Sequence, residues 1–197
     1  MHINFLYIEA ILLTVCIHQF HGILADSEEI SFEHQILGKH NDFRRLHGCP
    51  DLALESDLYK GCFNHARKLG VIDKLEYSNG NYGENICFRV DDDPVKCVEQ
   101  WYNESREYDY SKAEYSDGTR HFTQLIWKSS KLMGVAQHRG TSGKIFVVAR
   151  YMPAGNSAGQ FVKNVPRSKF NGSKCPVCNY FLFCSLMLIR KVFCGDG

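Results

Sequence analysis

From residue 30 onward, apolar side chains recur at Ile30, Ile36, Leu37 and Phe43, roughly one helical turn apart, behind Asp26-Ser27-Glu28-Glu29, which has the form of a capping box. The spacing predicts a first helix ending at Gly48 and carrying His40-Asn41-Asp42-Phe43-Arg44, with a turn at Gly48-Cys49-Pro50. Leu54, Leu58, Cys62, Ala66 and Leu69 then repeat every three to four residues and predict a second amphipathic helix closed by Gly70. Ser78-Asn79-Gly80-Asn81 reads as a turn, and Tyr82-Gly83-Glu84-Asn85-Ile86 sets a carboxylate among apolar neighbours. Asp93 as N-cap and Pro94 at the first helical position predict a third helix from Val95 past Glu104, with Val98, Trp101, Tyr102 and Ser105 as its buried stripe. Glu104, within a turn of Trp101, can share its direction toward the edge of the core.

From Tyr108 to Arg120 the periodicity is lost and a loop is expected. The runs 132–138 and 144–151, joined by Arg139-Gly-Thr-Ser-Gly143, predict a hairpin whose continuous apolar character requires cover on both faces, so helices should flank a sheet. Past Pro153-Ala-Gly-Asn156 the chain turns polar, and the main domain is expected to span 26–160, with 161–197 a cysteine-containing extension.

With 197 residues, 44% of them hydrophobic, the chain can supply one substantial core. A net charge of +1 gives no reason to expect nucleic acid or another charged polymer as partner. The apolar stretch from Ile3 to Phe20, followed by Gly22 and Ala25, predicts a signal peptide over 1–25 and a secreted product. Neither this run nor Tyr180 to Phe193, broken by Arg190 and Lys191, reaches the ~20 apolar residues of a spanning helix, so no stable membrane insertion is expected. Once Cys16 leaves with the signal, Cys49, Cys62, Cys87, Cys97, Cys175, Cys178, Cys184 and Cys194 form an even set, which predicts disulfides but leaves every pairing open.

His121-Phe122-Thr123-Gln124-Leu125-Ile126-Trp127 places an imidazole at the head of a block that must be buried, and so at the edge of a core facing a cavity. Asn103-Glu-Ser105 and Asn171-Gly-Ser173 are N-glycosylation sequons, the first requiring Asn103 to face outward.

Five stretches, His40-Asn-Asp-Phe-Arg44, Tyr82-Gly-Glu-Asn-Ile86, Trp101-Tyr-Asn-Glu104, His121 to Trp127 and Phe146-Val-Val-Ala-Arg-Tyr-Met-Pro-Ala-Gly-Asn156, together resemble the CAP superfamily, and its helminth venom allergen-like proteins in particular. The resemblance implies an α+β fold, a three-layer α-β-α sandwich around a central antiparallel sheet. It also implies a cleft in which two histidines and two glutamates can bind a divalent metal, commonly zinc. Glu84, Glu104 and His121 match three of these, but Tyr77 stands where the second histidine should fall. A phenol, with a pKa of roughly 10, is a poor ligand at neutral pH, so weak zinc affinity at most is expected. His65 is the nearest other histidine upstream, but it sits on the second helix.

Tyr108-Asp-Tyr110-Ser-Lys-Ala-Glu-Tyr115 resembles the caveolin-binding motif of the family's flexible sterol-binding loop. Three aromatic faces there could cover an apolar ring system while their hydroxyls stay wet. The family also binds fatty acyl chains between two helices. The expected function is therefore a secreted, non-enzymatic protein that captures sterols or other lipids, with a role in host or immune interaction. The alternatives are a metal-dependent hydrolase working through Glu84, Glu104 and His121, and a protein interaction module.

Overall fold

The computed structural model describes residues 31–169. The expected signal peptide, the Asp26 capping box, Asn171 and the cysteines from Cys175 onward lie outside them. In chain order the elements are α1 (Phe32–Leu46), β1 (Ala53–Leu54), α2 (Ser56–Ile72), β2 (Gly83–Arg89), α3 (Lys96–Asn103), a 3-10 turn (Glu104–Arg106), α4 (Arg120–Leu125), β3 (Leu132–Arg139), β4 (Ile145–Met152) and α5 (Phe161–Asn164).

The sheet has the order β1-β3-β4-β2. β3 pairs antiparallel with β4, as the hairpin pattern predicts, and β4 pairs antiparallel with β2. Only the two-residue β1 runs parallel to its neighbour β3. Alternating side chains of β4 serve the two faces. Phe146 and Val148 pack with Ile86 and Ala136 against Cys62, Ala66 and Leu69 of α2. Val147, Ala149 and Tyr151 face a larger cluster with Ile36 of α1, Trp101 of α3 and Phe122, Leu125, Ile126 and Trp127 around α4. Burying each such side chain contributes about 1.5–3 kcal/mol, so both faces of the sheet gain from being covered and three layers result.

Several expected boundaries move. α2 passes through Gly70 and ends at Asp73, whose φ of 50° is the left-handed cap. Gly70 lacks a side chain for packing instead: a Cβ there would lie 3.3 Å from the Gly140 Cα of the hairpin turn. α3 begins at Lys96, and the Asp93 and Pro94 carbonyls receive the amides of Lys96 and Cys97, so Pro94 precedes the helix. The expected boundary at 160 cuts through packed structure. Phe161 and Val165 are buried, Phe161 meets the Trp127 indole edge to face at 5.1 Å, and Asn164 accepts the Lys128 amide.

Cys87 and Cys97 form a disulfide that ties β2 to the start of α3. Cys49 and Cys62 have no disulfide partner among the described residues. Both are buried, their thiols donating to the carbonyls of Ile126 and Gly134 at 3.1 and 3.2 Å.

Two buried groups set the spacing of the layers. Arg44 of α1, with no solvent exposure, donates from Nε to Pro50 O, from Nη1 to Leu125 O and Trp127 O, and from Nη2 to Ser130 O, all within 3.0 Å. Gly134 of β3 lets the α2 backbone come close: a Cβ there would lie 2.3 Å from Leu58 C and Tyr59 N. Because backbone cannot rotate away, Gly134→Ala is expected to cost about 3 kcal/mol or more by urea denaturation; a loss below about 1 kcal/mol would show that α2 can lift off the sheet freely.

Candidate functional site

His121 sits in the first turn of α4, and a chain of buried polar groups fixes its backbone. Burial keeps the His40 imidazole neutral by pushing its pKa down to about 4. Its Nδ1 donates to Ile36 O at 2.8 Å, so its Nε2 accepts from the Tyr151 hydroxyl, also at 2.8 Å. Asn85 of β2 then donates to Tyr151 Oη at 3.2 Å and to His121 O at 3.0 Å. The sheet thus holds α4 in register with β2.

Glu104, at the end of α3, caps α4 from a distance, since Thr119 makes no capping bond with its side chain. Its Oε2 accepts the His121 and Phe122 amides at 2.9 and 3.2 Å, and its Oε1 accepts His121 Nδ1–H at 2.6 Å. With that proton on Nδ1, the lone pair of Nε2 is free to accept, and the Tyr77 hydroxyl donates to it at 2.5 Å. The Tyr77 and Trp101 rings each lie nearly parallel to His121, at 23° and 24°, with centroids 6.3 Å from it. The Arg120 guanidinium covers Tyr77 at 4.4 Å. Partial burial raises the phenol above its usual pKa, while Arg120 pulls the other way.

Glu84 belongs to a second cluster. It pairs across the strands with Arg150 of β4, whose Nε donates to Glu84 Oε2 at 2.9 Å, both side chains at 10% exposure or less. Ser78 donates its amide to Oε1 at 2.8 Å and its hydroxyl to Oε2 at 2.6 Å. His65 donates to Glu76 O at 2.8 Å and lies 3.7 Å from Glu84, which puts it with this second cluster.

The four expected cleft residues therefore divide into Tyr77-His121-Glu104 and Glu84 with Arg150. This donor set does not fit a divalent metal. Both ring nitrogens of His121 and both oxygens of each glutamate already have protein partners, and Arg150 places a positive charge against Glu84. Among the described residues no three His, Cys, Asp or Glu side chains are grouped to hold an ion. Sequence reasoning passed over Arg150, Arg120 and Ser78. The signal for Arg150 was a single charge inside the apolar run Phe146 to Met152, where a cation needs a partner.

The loop before α4 does not present three open aromatic faces. Tyr108 is buried, edge-on to Tyr110 at 4.8 Å and to Phe122 at 5.7 Å. Tyr110 is half-buried beneath Arg167, with its phenol pushed up to about 12, mainly by burial. Tyr115 is exposed and donates to Asp117 at 2.8 Å. Asn103 is exposed, as its sequon requires.

Comparison with known proteins adds to this geometry. The profile described as Cysteine-rich secretory protein family (CAP) matches residues 37–151. The human Golgi-associated plant pathogenesis-related protein 1 is 35% identical over 149 residues, covering 72% of this chain and 97% of that protein. Secreted protein RBT4 of Candida albicans is 33% identical over 135 residues, 67% of this chain but only 37% of its own length. Among solved structures, venom allergen-like protein 4 of Schistosoma mansoni aligns with a TM-score of 0.53 at 16% identity, covering 74% of this chain and all of that one, a likeness of fold. No described helix is long and apolar enough to cross a membrane.

Proposed function

We propose a secreted, lipid-capturing role for this chain, which belongs to the CAP family of cysteine-rich secretory proteins. Secretion rests on the apolar leader over 1–25 and on relatives named as secreted, and N-glycosylation at Asn103 and Asn171 would accompany that route. The observation that carries lipid capture is the Tyr108 hydroxyl. It is buried among aromatic rings with no hydrogen-bond partner among the described residues, directly behind the half-buried Tyr110 on the loop that ends in the exposed Tyr115. An unpaired buried hydroxyl costs about 1–3 kcal/mol. A sterol entering between these rings would cover apolar surface and give that oxygen a partner, which favours a ligand with one hydroxyl on an apolar frame. Against the alternative of a metal-dependent hydrolase stand the protein partners that His121, Glu84 and Glu104 already hold.

The test is saturable binding of radiolabelled cholesterol to the full secreted chain. Tyr108→Phe removes a single oxygen and is expected to weaken cholesterol about threefold to tenfold, while leaving a cholesteryl ester, which has no free hydroxyl, unchanged. Exchanging both Tyr110 and Tyr115 for alanine is expected to abolish binding of either ligand. Unsaturable uptake by the parent protein would end the lipid reading.

A further inference from the structure

The Tyr77 phenol is placed as a reactive group. We propose that Tyr77 is a nucleophile served by His121 as general base, taking acyl groups from activated carboxylic esters. Three observations support this, and none depends on the lipid reading. The Tyr77 hydroxyl donates to His121 Nε2 at 2.5 Å, the only orientation that leaves the Nδ1 proton for Glu104 at 2.6 Å. Glu104 is itself fixed by two α4 amides, so the imidazole can neither turn over nor swing away. Nucleophile, base and a third group orienting the base form the arrangement that activates a weak hydroxyl for covalent attack. Finally, Tyr77 is 37% exposed, so an ester can reach it from solvent.

In the step itself, the phenolic oxygen attacks the ester carbonyl as its proton passes to His121 Nε2. The carbon–oxygen bond to the leaving group then breaks, leaving an acyl-tyrosine; an alkoxide takes the proton back from His121 and departs as the alcohol, whereas a phenolate departs as the anion and the proton passes from His121 to water. No metal, oxidant or reductant takes part. The Arg120 guanidinium, 4.4 Å above the ring, favours the negative charge that gathers on the phenol during attack.

The experiment exposes the full chain to 4-nitrophenyl acetate at neutral pH, quenches in acid, and follows acetylation of individual tyrosines by peptide mass spectrometry. Tyr115 at 49% and Tyr59 at 39% exposure serve as internal references, because they are at least as open to solvent. Tyr77 is expected to acetylate at least about tenfold faster than either reference. His121→Phe keeps an aromatic ring at that position but removes the base, and should bring Tyr77 down to the reference rate with Tyr115 unchanged. Equal rates at Tyr77 and Tyr115 in the parent protein, or fast Tyr77 acetylation surviving His121→Phe, would overturn the proposal. Should His121→Phe lose its circular dichroism signal, the ratio within the parent protein decides alone.

Discussion

Arg44→Met is expected to destabilise the protein by at least about 4 kcal/mol, a large fraction of the about 5–15 kcal/mol that holds a domain folded. Methionine approximates the volume of the side chain but withdraws donors from three buried carbonyls and one partly buried one at once, and each carbonyl stranded away from water costs about 1–3 kcal/mol. Those carbonyls belong to the turn after α1 and to the segment from α4 into β3, so the loss should appear as one cooperative transition shifted to lower urea. Arg45→Met is the control. Arg45 is exposed and paired with Asp42 and Asp51 at the surface, where such pairs contribute about 0–1 kcal/mol. A small loss from Arg44→Met would mean that water enters and replaces the guanidinium.

Glu84→Gln should cost about 3–5 kcal/mol, since it leaves the Arg150 guanidinium buried without a counter-charge. Replacing both partners, Glu84→Leu with Arg150→Met, removes the charges together and is expected to recover most of that loss. The recovery separates a coupled pair from two independent contributions. If the double variant is as unstable as the two single losses added, Glu84 and Arg150 do not act as a unit and the division of the cleft into two clusters fails.

The elements legible in the sequence were those whose periodicity reports a buried face. α1, α2 and the β3-β4 hairpin emerged from apolar spacing alone, because each must cover the sheet or be covered by it. Helix ends were less legible: Gly70 resembles a stop signal, yet its lack of a side chain serves a contact with a turn far along the chain. The residue types of the site were visible in the motifs, but their partners were not. Glu84 meets Arg150 only because β2 and β4 align those two positions, and no local pattern encodes that register. Tyr108 was misplaced for a related reason. A loop without periodicity gives no indication of which ring turns inward, and Phe122, against which it packs, arrives from another element. The Cys87–Cys97 pairing likewise follows from where β2 and α3 lie, which a count of cysteines cannot supply.

The seat of Phe161 and Val165 bears on where this protein can be cut. The shared family pattern stops at residue 151, a border drawn by what related sequences have in common. The border drawn by packing lies farther on, because the Trp127 indole and the Ser129 amide find partners in Phe161 and Asn164. A fragment trimmed to the homology limit would keep four of the five motifs by which its kinship is recognised and half of the fifth, yet open its largest apolar cluster to water beside the very block that holds His121.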